Sequence, residues 1–586
     1  MAPGMGGKRW VLLLAAAAGV AAVALLLRST PSASQPIATP PAPPHADSLP
    51  IDPVTDYDKV EDAQSQAGGF LKKALAAPIL KRDPDGLLPS LAADFRARFP
   101  TPDEGRKLDE DGLVITDFAG ANVPETDAAG FLKRLRALLD RYDSVSRCQF
   151  RCFTFLLDKG EKRARGLYHW WLSGRGPQGR RVEVQGDFHV EFTGAPGSWK
   201  IRAIALPAGA LVESSRAPFA DITDATGFEF AYSAEGRRAL QAVIDNRTMT
   251  NVGALAAVDW NRDGFPDLIA TNENRRSVLF LNDGKGGFIP RELPEQGGLF
   301  YLFVDLDGDG VEELVSTHPQ WYRGDKACLG LYVRHGEDWE FRESLVFDNP
   351  PTARELLYHH VTAADANGDG RLDLFVTGYS NSQSGQQDFN FLDAKSGIRD
   401  LLFINKGGLK FSEEGEARGI RDRRYGYAAE FFDFDGDGDL DILVVNDFGP
   451  DNYYKNLGNG VFEDEPDHPL VRDPAFGMGL AIADFDNEGK YSVYVSNMYS
   501  HAGNRMIAVT KNLHEDTRKH LLFAVQGNAL FEPDGGGWKE TGIQRGVARA
   551  DWAWGCVFFD LENDGDKDLF VANGFTTHSD PAAPDY

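Results

Sequence analysis

Six short segments of the sequence share a pattern of oxygen-bearing side chains that could bind a metal ion. Each has a carboxylate or an amide at positions 1, 3 and 5, glycine at position 6 and, in five of the six, a carboxylate at position 9. Ca²⁺ takes six to eight oxygen ligands in a flexible geometry. Glycine permits the sharp turn that would bring these oxygens, with a main-chain carbonyl at position 7, onto one ion. The spacing therefore predicts up to six Ca²⁺ sites. The predicted ligands are Asp259, Asn261, Asp263 and Asp267; Asp305, Asp307, Asp309 and Glu313; Asp365, Asn367, Asp369 and Asp373; Asp433, Asp435, Asp437 and Asp441; Asp484, Asp486 and Glu488; and Asp560, Glu562, Asp564 and Asp568.

Two other interpretations of these loops are less consistent with the sequence. An EF-hand needs glutamate at position 12 and flanking helices, but position 12 is alanine, serine or valine in all six loops. Acidic turns that only solvate hairpin tips are the simpler alternative, and six loops in one register argue against it. Carboxylates packed this closely repel one another unless a cation is bound. Ser492 replaces the acid at position 9 of the fifth loop, which we therefore expect to bind metal weakly or not at all.

The loops must be positioned by strands, because each lies between two strand-like runs. The run before a loop is small and apolar, and the run after it is β-branched or aromatic. A second hairpin often follows, as at Leu281–Phe288 and Lys455–Phe462, which makes a four-stranded unit. Loop starts lie 46 to 76 residues apart, the length of a propeller blade. Residues 218–586 are therefore predicted to form an all-β propeller of six blades, with seven as the alternative. The segment 219–227 would supply the outermost strand of the last blade and close the ring.

Loops of this form with strand-rich flanks resemble the FG-GAP/VCBS repeats of integrin-α-type propellers. The stretches 446–452, 476–479 with 496–498, and 552–555 with 571–574 are similar to the cartilage acidic protein (ASPIC) group. The resemblance covers residues 218–586. It implies an extracellular, Ca²⁺-binding propeller that has no established catalytic residues and presents a face to a protein or glycan at the cell surface.

The N-terminal residues predict export from the cytoplasm. Lys8 and Arg9 precede an uncharged run of 18 residues, and Arg28 ends it. This is long enough for a minimal membrane-spanning helix, so residues 1–28 are predicted to be an uncleaved anchor, the only contact with the membrane. A cleaved signal, which would release the protein, is the alternative. Residues 29–56 hold eight prolines and are predicted to be a stiff, extended linker.

Residues 57–207 predict a separate α+β domain. Helical patterns at Ala67–Leu80, Leu88–Phe99 and Ala128–Tyr142 precede four strand patterns between Cys148 and Ala205. This order is similar to the NTF2-like cone fold, whose sheet wraps around a pocket. Such pockets sometimes hold an acid–base pair. An exported enzyme using His169, Asp187 and His189, with the propeller as scaffold, is therefore the alternative function, although these side chains could equally lie on the outer face of the sheet.

The overall charge restricts the partners of the chain. Its 586 residues carry a formal charge of −27, while 42 % are hydrophobic and 11 % aromatic. The chain is therefore globular, and its surface is unsuited to nucleic acid or anionic lipid, both of which need basic patches. We expect a non-catalytic, membrane-tethered, Ca²⁺-dependent binding protein.

Overall fold

The computed structural model describes residues 54, 57–110, 112–215, 222–228, 255–271, 277–293, 300–336, 338–348, 356–381, 393–471, 475–500, 503, 507, 514–561 and 563–573. These residues fall into two compact units. The first contains the described residues up to 215 together with those of 500–525, and the second contains those of 222–499 and 526–573. The predicted anchor and most of the predicted linker lie outside the described residues. No helix within the described ranges is long and apolar enough to cross a membrane.

The first unit is an α+β unit in which helices cover one face of a mixed, seven-stranded sheet. Its helices are α1 (Tyr57–Leu71), continued by a π-helical turn (Lys72–Ala76) and α2 (Ala77–Leu80), and α3 (Ala128–Leu139), with 3₁₀ turns at Pro84–Ser90 and Pro177–Gly179 and a later helix at Glu515–Ala524. Its strands are β1 (Leu91–Arg98), β2 (Arg106–Glu110), β3 (Leu113–Asp117), β4 (Ser144–Leu157), β5 (Arg163–Arg175), β6 (Arg181–Thr193) and β7 (Lys200–Ser214). The sheet order is β2-β3-β7-β6-β5-β4, and β1 pairs in parallel with β7.

Helix α3 illustrates how the sequence specifies this unit. The Asp127 carboxylate caps the helix by accepting a hydrogen bond from the Gly130 N–H at 3.0 Å. Phe131, Leu135 and Leu138 recur at helical spacing and are buried in the core, which they share with Trp170, Val184 and Phe188 of the sheet.

One of the three predicted helices is wrong. Leu88–Phe99 has apolar residues at helical spacing, but residues 91–98 form strand β1. Its pairing with β7 buries Phe95 and Ala97. Tertiary pairing therefore outweighs the local pattern, which a single sequence does not reveal.

The second unit consists of six consecutive sheets, one for each acidic loop. We number them sheets 1 to 6, and in each the loop joins the first two strands. Their strands are, for sheet 1, β8 (Leu255–Val258), β9 (Asp267–Thr271), β10 (Ser277–Asn282) and β11 (Phe288–Leu293); for sheet 2, β12 (Tyr301–Val304), β13 (Glu313–Arg323), β14 (Lys326–His335), β15 (Asp338–Phe341) and β16 (Val346–Asp348); for sheet 3, β17 (Leu356–Ala364), β18 (Asp373–Asn381), β19 (Leu401–Asn405) and β20 (Phe411–Glu413); for sheet 4, β21 (Tyr425–Phe432), β22 (Asp441–Asp447), β23 (Asn452–Asn456) and β24 (Phe462–Asp464); for sheet 5, β25 (Gly477–Ala483), β26 (Ser492–Asn497), β27 (Ala529–Asp534) and β28 (Gly537–Glu540); and for sheet 6, β29 (Ala553–Phe559) and β30 (Asp568–Asn573). Short helices at Thr223–Thr226 and Gly542–Arg545 complete the described elements of this unit.

Consecutive sheets pack face to face. The first strands lie side by side in the order β8, β12, β17, β21, β25 and β29. Separate hydrophobic clusters fill the spaces between sheets 1 and 2, 2 and 3, 3 and 4, and 4 and 5. Because every loop connects a first strand to a second strand, all six loops occupy equivalent positions in their sheets.

Candidate metal centre

The six loops share one backbone conformation. In each, the carboxylate at position 1 accepts a hydrogen bond from the glycine N–H at position 6, at 2.7–3.1 Å. Positions 4 and 6 are left-handed in every loop, with φ between 56° and 102°. An L side chain adopts this conformation only at a cost, which explains the glycine at position 6. Position 4 has the same conformation even where the sequence places Arg262, Asn487 or Asn563 there.

The acid at position 9 is buried and held by the backbone. In the five loops that have one, it accepts a hydrogen bond from the N–H of position 2 at 2.8–3.3 Å. In sheets 1, 3 and 4 its second oxygen accepts another from the N–H of a third-strand asparagine at 2.6–2.8 Å. Those asparagines are Asn282, Asn405 and Asn456. The fifth loop has Ser492 at this position, so it lacks the braced carboxylate.

The carboxylates converge within the loops. One ligand atom from each of Asp305, Asp307 and Glu313 lies within 4.8 Å of the others, and Asp433, Asp435 and Asp441 form a second such group among the described residues. In the first and third loops the carbonyl oxygen of the position-3 amide accepts a hydrogen bond from the N–H of position 5, at 3.0–3.1 Å. Positions 3 and 5 are therefore adjacent in these loops as well.

Burial and repulsion disfavour ionisation of the position-9 acids. Burial, with a smaller contribution from Asp307, Asp309 and Asp305, raises the pKa of Glu313 to about 7. Burial, with Asp369 and Asp365, raises the pKa of Asp373 to about 6. Burial also raises the pKa values of Asp267 and Asp441. A divalent cation between these groups would replace repulsion by attraction and favour the ionised form, so the side chains present fit a Ca²⁺ ion.

Basic side chains partly neutralise two of the loops. Arg371, at position 7 of the third loop, contacts Asp369. The Lys455 ammonium contacts Asp435 and lies 3.4 Å from the Asp437 carboxylate in the fourth loop, and these contacts raise its pKa. Such contacts place a cationic group beside carboxylates that are predicted to bind the ion.

Of the predicted metal ligands, only Glu562 lies outside the described residues. The structure places all the others in loops of the conformation described above. The third-strand asparagines were missed as functional candidates. In the sequence each of these three asparagines lies two residues before a glycine of its second hairpin, but their contact with the loops depends on strand register.

The predicted acid–base residues lie on a different face of the first unit from its core. His169 and Asp187 are directly opposite each other on β5 and β6, with 3.8 Å between His169 Nδ1 and Asp187 Oδ1. The Asp187 side chain is 40 % exposed, whereas His189 is buried. The alternating residues Val184 and Phe188 supply the core. The His169–Asp187 pair therefore lies on the sheet face that points away from the core.

A cleft elsewhere in the first unit does not include these residues. It has a volume of about 520 Å³ and is lined by groups that include Asp85, Arg96, Asp127 and Arg136. His169, Asp187 and His189 are not part of its lining, so the structure does not place the candidate acid–base residues in this cleft.

Comparisons with known proteins identify the repeats. A family model described as "FG-GAP-like repeat" matches residues 259–316, 305–376 and 433–495. Cartilage acidic protein 1 of Mus musculus is 24 % identical over 274 residues, which cover 43 % of this chain and 41 % of that protein. A T-cell immunomodulatory protein homolog of Plasmodium yoelii yoelii is 23 % identical over 372 residues, 57 % of this chain and 46 % of that protein. The chain thus spans less than half the length of these relatives.

Among solved structures, the chain Rd1NTF2_05 is a neighbour with 17 % identity, covering 24 % of this chain and 96 % of that chain, at a TM-score of 0.16. A TM-score this low supports no conclusion about fold or function. The chain is a mostly β protein that contains FG-GAP-like repeats and is similar in sequence to cartilage acidic protein 1.

Proposed function

We propose that this chain is a membrane-tethered, extracytoplasmic, Ca²⁺-binding β-propeller protein that presents a Ca²⁺-rigidified face to a protein or glycan. The observation that carries the proposal is the buried position-9 acid, which recurs in five loops with the same backbone hydrogen bond. A turn that only solvates a hairpin has no need to bury a carboxylate among other carboxylates. A site for a hard cation does.

Closure of the six sheets into a ring is part of this proposal. A Cβ on Gly227 would lie 2.8 Å from the Phe288 carbonyl oxygen in the outer strand of sheet 1. Gly419, just after the outer strand of sheet 3, approaches the Phe462 carbonyl of sheet 4 in the same way, with its Cβ position 2.0 Å from that oxygen. Phe228 packs on sheet 1, with its ring centre 5.7 Å from that of Phe288. The segment 219–227, predicted to be the outer strand of sheet 6, forms a short helix at Thr223–Thr226 instead, and its residues 219–221 lie outside the described residues.

The remaining parts of the proposal rest on the sequence and the relatives. We assign the anchor to residues 1–28, the linker to residues 29–56 and an NTF2-like fold to residues 57–207. Extracytoplasmic location follows from the apolar N-terminal run and agrees with the similarity to a protein named for cartilage. The relatives' names mention no enzymatic reaction, and the His169–Asp187 pair is partly exposed on the outer sheet face, so we favour binding over catalysis.

Thermal unfolding of the full chain tests the metal sites. After EDTA treatment the chain is titrated in detergent with Ca²⁺ and separately with Mg²⁺, which prefers a rigid octahedral shell and retains its waters. One site saturated at about 100 times its Kd stabilises the folded state by about 2.7 kcal/mol. We expect a Ca²⁺-specific rise in Tm of the second unit that is reduced when Asp433 and Asp437 are both changed to alanine.

Asp439→Ala is the matched control for that experiment. Asp439 is an exposed acid in the same loop, at position 7, where the predicted ligand is the main-chain carbonyl rather than the side chain. Its removal changes the charge of the loop by one but leaves the predicted ligands in place. Equal loss of the Ca²⁺ effect in this variant, or no Tm rise in the wild type at millimolar Ca²⁺, would refute the metal sites.

A further inference from the structure

One residue of each third strand occupies an equivalent position next to the acidic loops. Loop position 10 is the residue after position 9 and lies in the second strand. The equivalent position is two residues after the third-strand residue that pairs with loop position 10. That partner is Phe280 in sheet 1, Tyr332 in sheet 2, Phe403 in sheet 3, Tyr454 in sheet 4 and Phe531 in sheet 5. The equivalent residues in sheets 1 to 5 are therefore Asn282, Arg334, Asn405, Asn456 and Pro533. We call them the bracket residues.

Three bracket residues hydrogen-bond to the loop of the preceding sheet. Arg334 donates to a carbonyl of the first loop. Asn405 Nδ2 donates to a carbonyl of the second loop at 2.9 Å, and Asn456 Nδ2 donates to one of the third loop at 2.9 Å. In every case the acceptor is the carbonyl of loop position 2. These carbonyls belong to Trp260, Leu306 and Ala366. Arg334 and Asn405 differ in chemistry, yet each donates to the carbonyl of position 2 in the preceding loop. The contact is therefore a property of the position in the sheet.

The position-2 residue links this contact to the proposed metal site. Ala366, for example, donates its N–H to Asp373 at position 9 of its own loop, and its carbonyl accepts from Asn456. Asn456 in turn donates its backbone N–H to Asp441, the position-9 acid of the fourth loop, at 2.8 Å. A continuous series of hydrogen bonds thus joins the position-9 acids of adjacent loops. The same series joins Asp373 through Asn405 and Leu306 to Glu313.

The series stops between the fourth and fifth loops. Pro533 occupies the bracket position of sheet 5, and proline has neither a backbone N–H nor a side-chain donor. The described residues show no hydrogen bond between these two loops. The fifth and sixth loops are connected again, by Lys567 N–H to the Phe485 carbonyl at 3.2 Å and by Asn487 Nδ2 to the Gly565 carbonyl at 2.9 Å.

We propose that the bracket residues couple metal binding between neighbouring loops, so that loops 2 to 4 respond as one group and this coupling does not extend from loop 4 to loop 5. The inference rests on the proposed Ca²⁺ sites. An ion bound in the third loop would be coordinated by Asp373, and this would change the hydrogen bond that Asp373 accepts from the Ala366 N–H. The carbonyl of Ala366 is held by Asn456. Asn405 and Asn456 are positioning residues, because they act on the acids and do not themselves bind the ion.

The fourth loop offers a local reporter for the test. The Tyr453 hydroxyl donates to Asp441 Oδ2 at 2.7 Å, so excitation of Tyr453 should sensitise the luminescence of Tb³⁺ bound there in place of Ca²⁺. The part of the signal lost in Tyr453→Phe belongs to this loop. The third loop is emptied by Asp365→Ala with Asp369→Ala in the full chain. We expect this change to weaken Tb³⁺ binding at the fourth loop about fivefold.

Removing the bracket should abolish that effect. In Asn456→Ala, which keeps the backbone N–H to Asp441, we expect emptying the third loop to change the Tb³⁺ affinity by less than about twofold. Asn282→Ala is the matched control: Asn282 Nδ2 donates to the Pro266 carbonyl of its own sheet at 3.0 Å, and the variant should retain the fivefold effect. A merely structural role of Asn456 would lower stability without changing this ratio.

A second comparison needs no bracket variant. Emptying the fifth loop by Asp484→Ala with Glu488→Ala should leave the fourth loop unaffected, because no bracket crosses that gap and Ser492 already weakens metal binding by the fifth loop. Asn456→Ser replaces the alanine variant if the latter does not fold. Absence of Tyr453-dependent luminescence in the wild type would refute the proposed metal binding, and the coupling with it. Normal binding at the fourth loop with equal effects from the third and fifth loops, or an effect that persists without Asn456, would overturn the coupling alone.

Discussion

Replacement of Lys455 by methionine should strengthen metal binding at the fourth loop. The ammonium contacts Asp435 and lies 3.4 Å from Asp437, and both are predicted ligands. A Ca²⁺ ion sits 2.3–2.6 Å from its oxygens, so an ammonium left in place would be about 5 Å from the ion. A doubly charged Ca²⁺ ion and a singly charged ammonium at that distance in water repel by about 1.7 kcal/mol. Alternatively the lysine moves into solvent and gives up a surface ion pair worth about 0.2–1 kcal/mol.

Binding follows the less costly of these routes, which sets the expected size of the effect. Methionine has a similar length but no charge, so the variant avoids both penalties. We expect a gain of about 0.2–1 kcal/mol, equivalent to a Kd lower by about 1.4- to fivefold. Tyr453-sensitised Tb³⁺ luminescence at about 0.15 M salt, where charges beyond about 8 Å are screened, measures this Kd directly, and competition with Ca²⁺ gives the affinity for the native ion.

Lys326→Met is the control for this prediction. Lys326 pairs with Asp348 at the end of β14 that lies away from the acidic loops, so its removal changes the net charge of the chain equally. Its Kd at the fourth loop should match that of the wild type. If Lys455→Met has an unchanged or higher Kd, the lysine does not compete with the ion.

Three further predictions concern stability. Gly419→Ala should destabilise the second unit by more than about 2 kcal/mol in urea unfolding, because φ is 101° and a carbonyl oxygen would lie 2.0 Å from the added Cβ. Gly436→Ala, the control, has open space around it and should cost about 1 kcal/mol. Phe228→Ala removes a ring 4.5 Å from that of Phe280 and should cost about 2 kcal/mol; an unchanged midpoint would argue against closure of the ring. Burial raises the pKa of Asp400 to about 8, above its unfolded value. The contribution of Asp400 to stability is therefore lost as pH rises from about 4 to 8, by up to about 1.4 kcal/mol per pH unit. Asp400→Asn should be more stable than the wild type at pH 8 and equal to it at pH 4.

The strands around the loops could be predicted because their pattern is local and repeated. The apolar run before each loop and the run after it are found as first and second strands in all six sheets. The second hairpins at Leu281–Phe288 and Lys455–Phe462 are found as β10–β11 and β23–β24. Residues 91–98 were mistaken for helix because their apolar spacing fits both structures, and only the pairing with β7 decides between them.

The bracket residues could not be predicted, because their equivalence is visible only in the strand register. The distance from loop position 9 to the bracket residue varies with the turn between the second and third strands. It is 15 residues from Asp441 to Asn456 but 32 from Asp373 to Asn405. Arginine and proline also occupy this position, so no residue type marks it. Pairing of the second and third strands brings all five residues to the same place beside a loop.

The fifth loop has lost both the position-9 acid and the bracket donor. Ser492 at position 9 is 4 % exposed, so a carboxylate in its place would be buried. In sheets 1, 3 and 4 the backbone N–H of the bracket residue offsets that burial by a hydrogen bond to the acid. Pro533 has no N–H to donate. Sheet 5 therefore lacks both the acid and the donor: serine at position 9 weakens the metal site of the fifth loop, and proline at the bracket interrupts the series of hydrogen bonds at the same point.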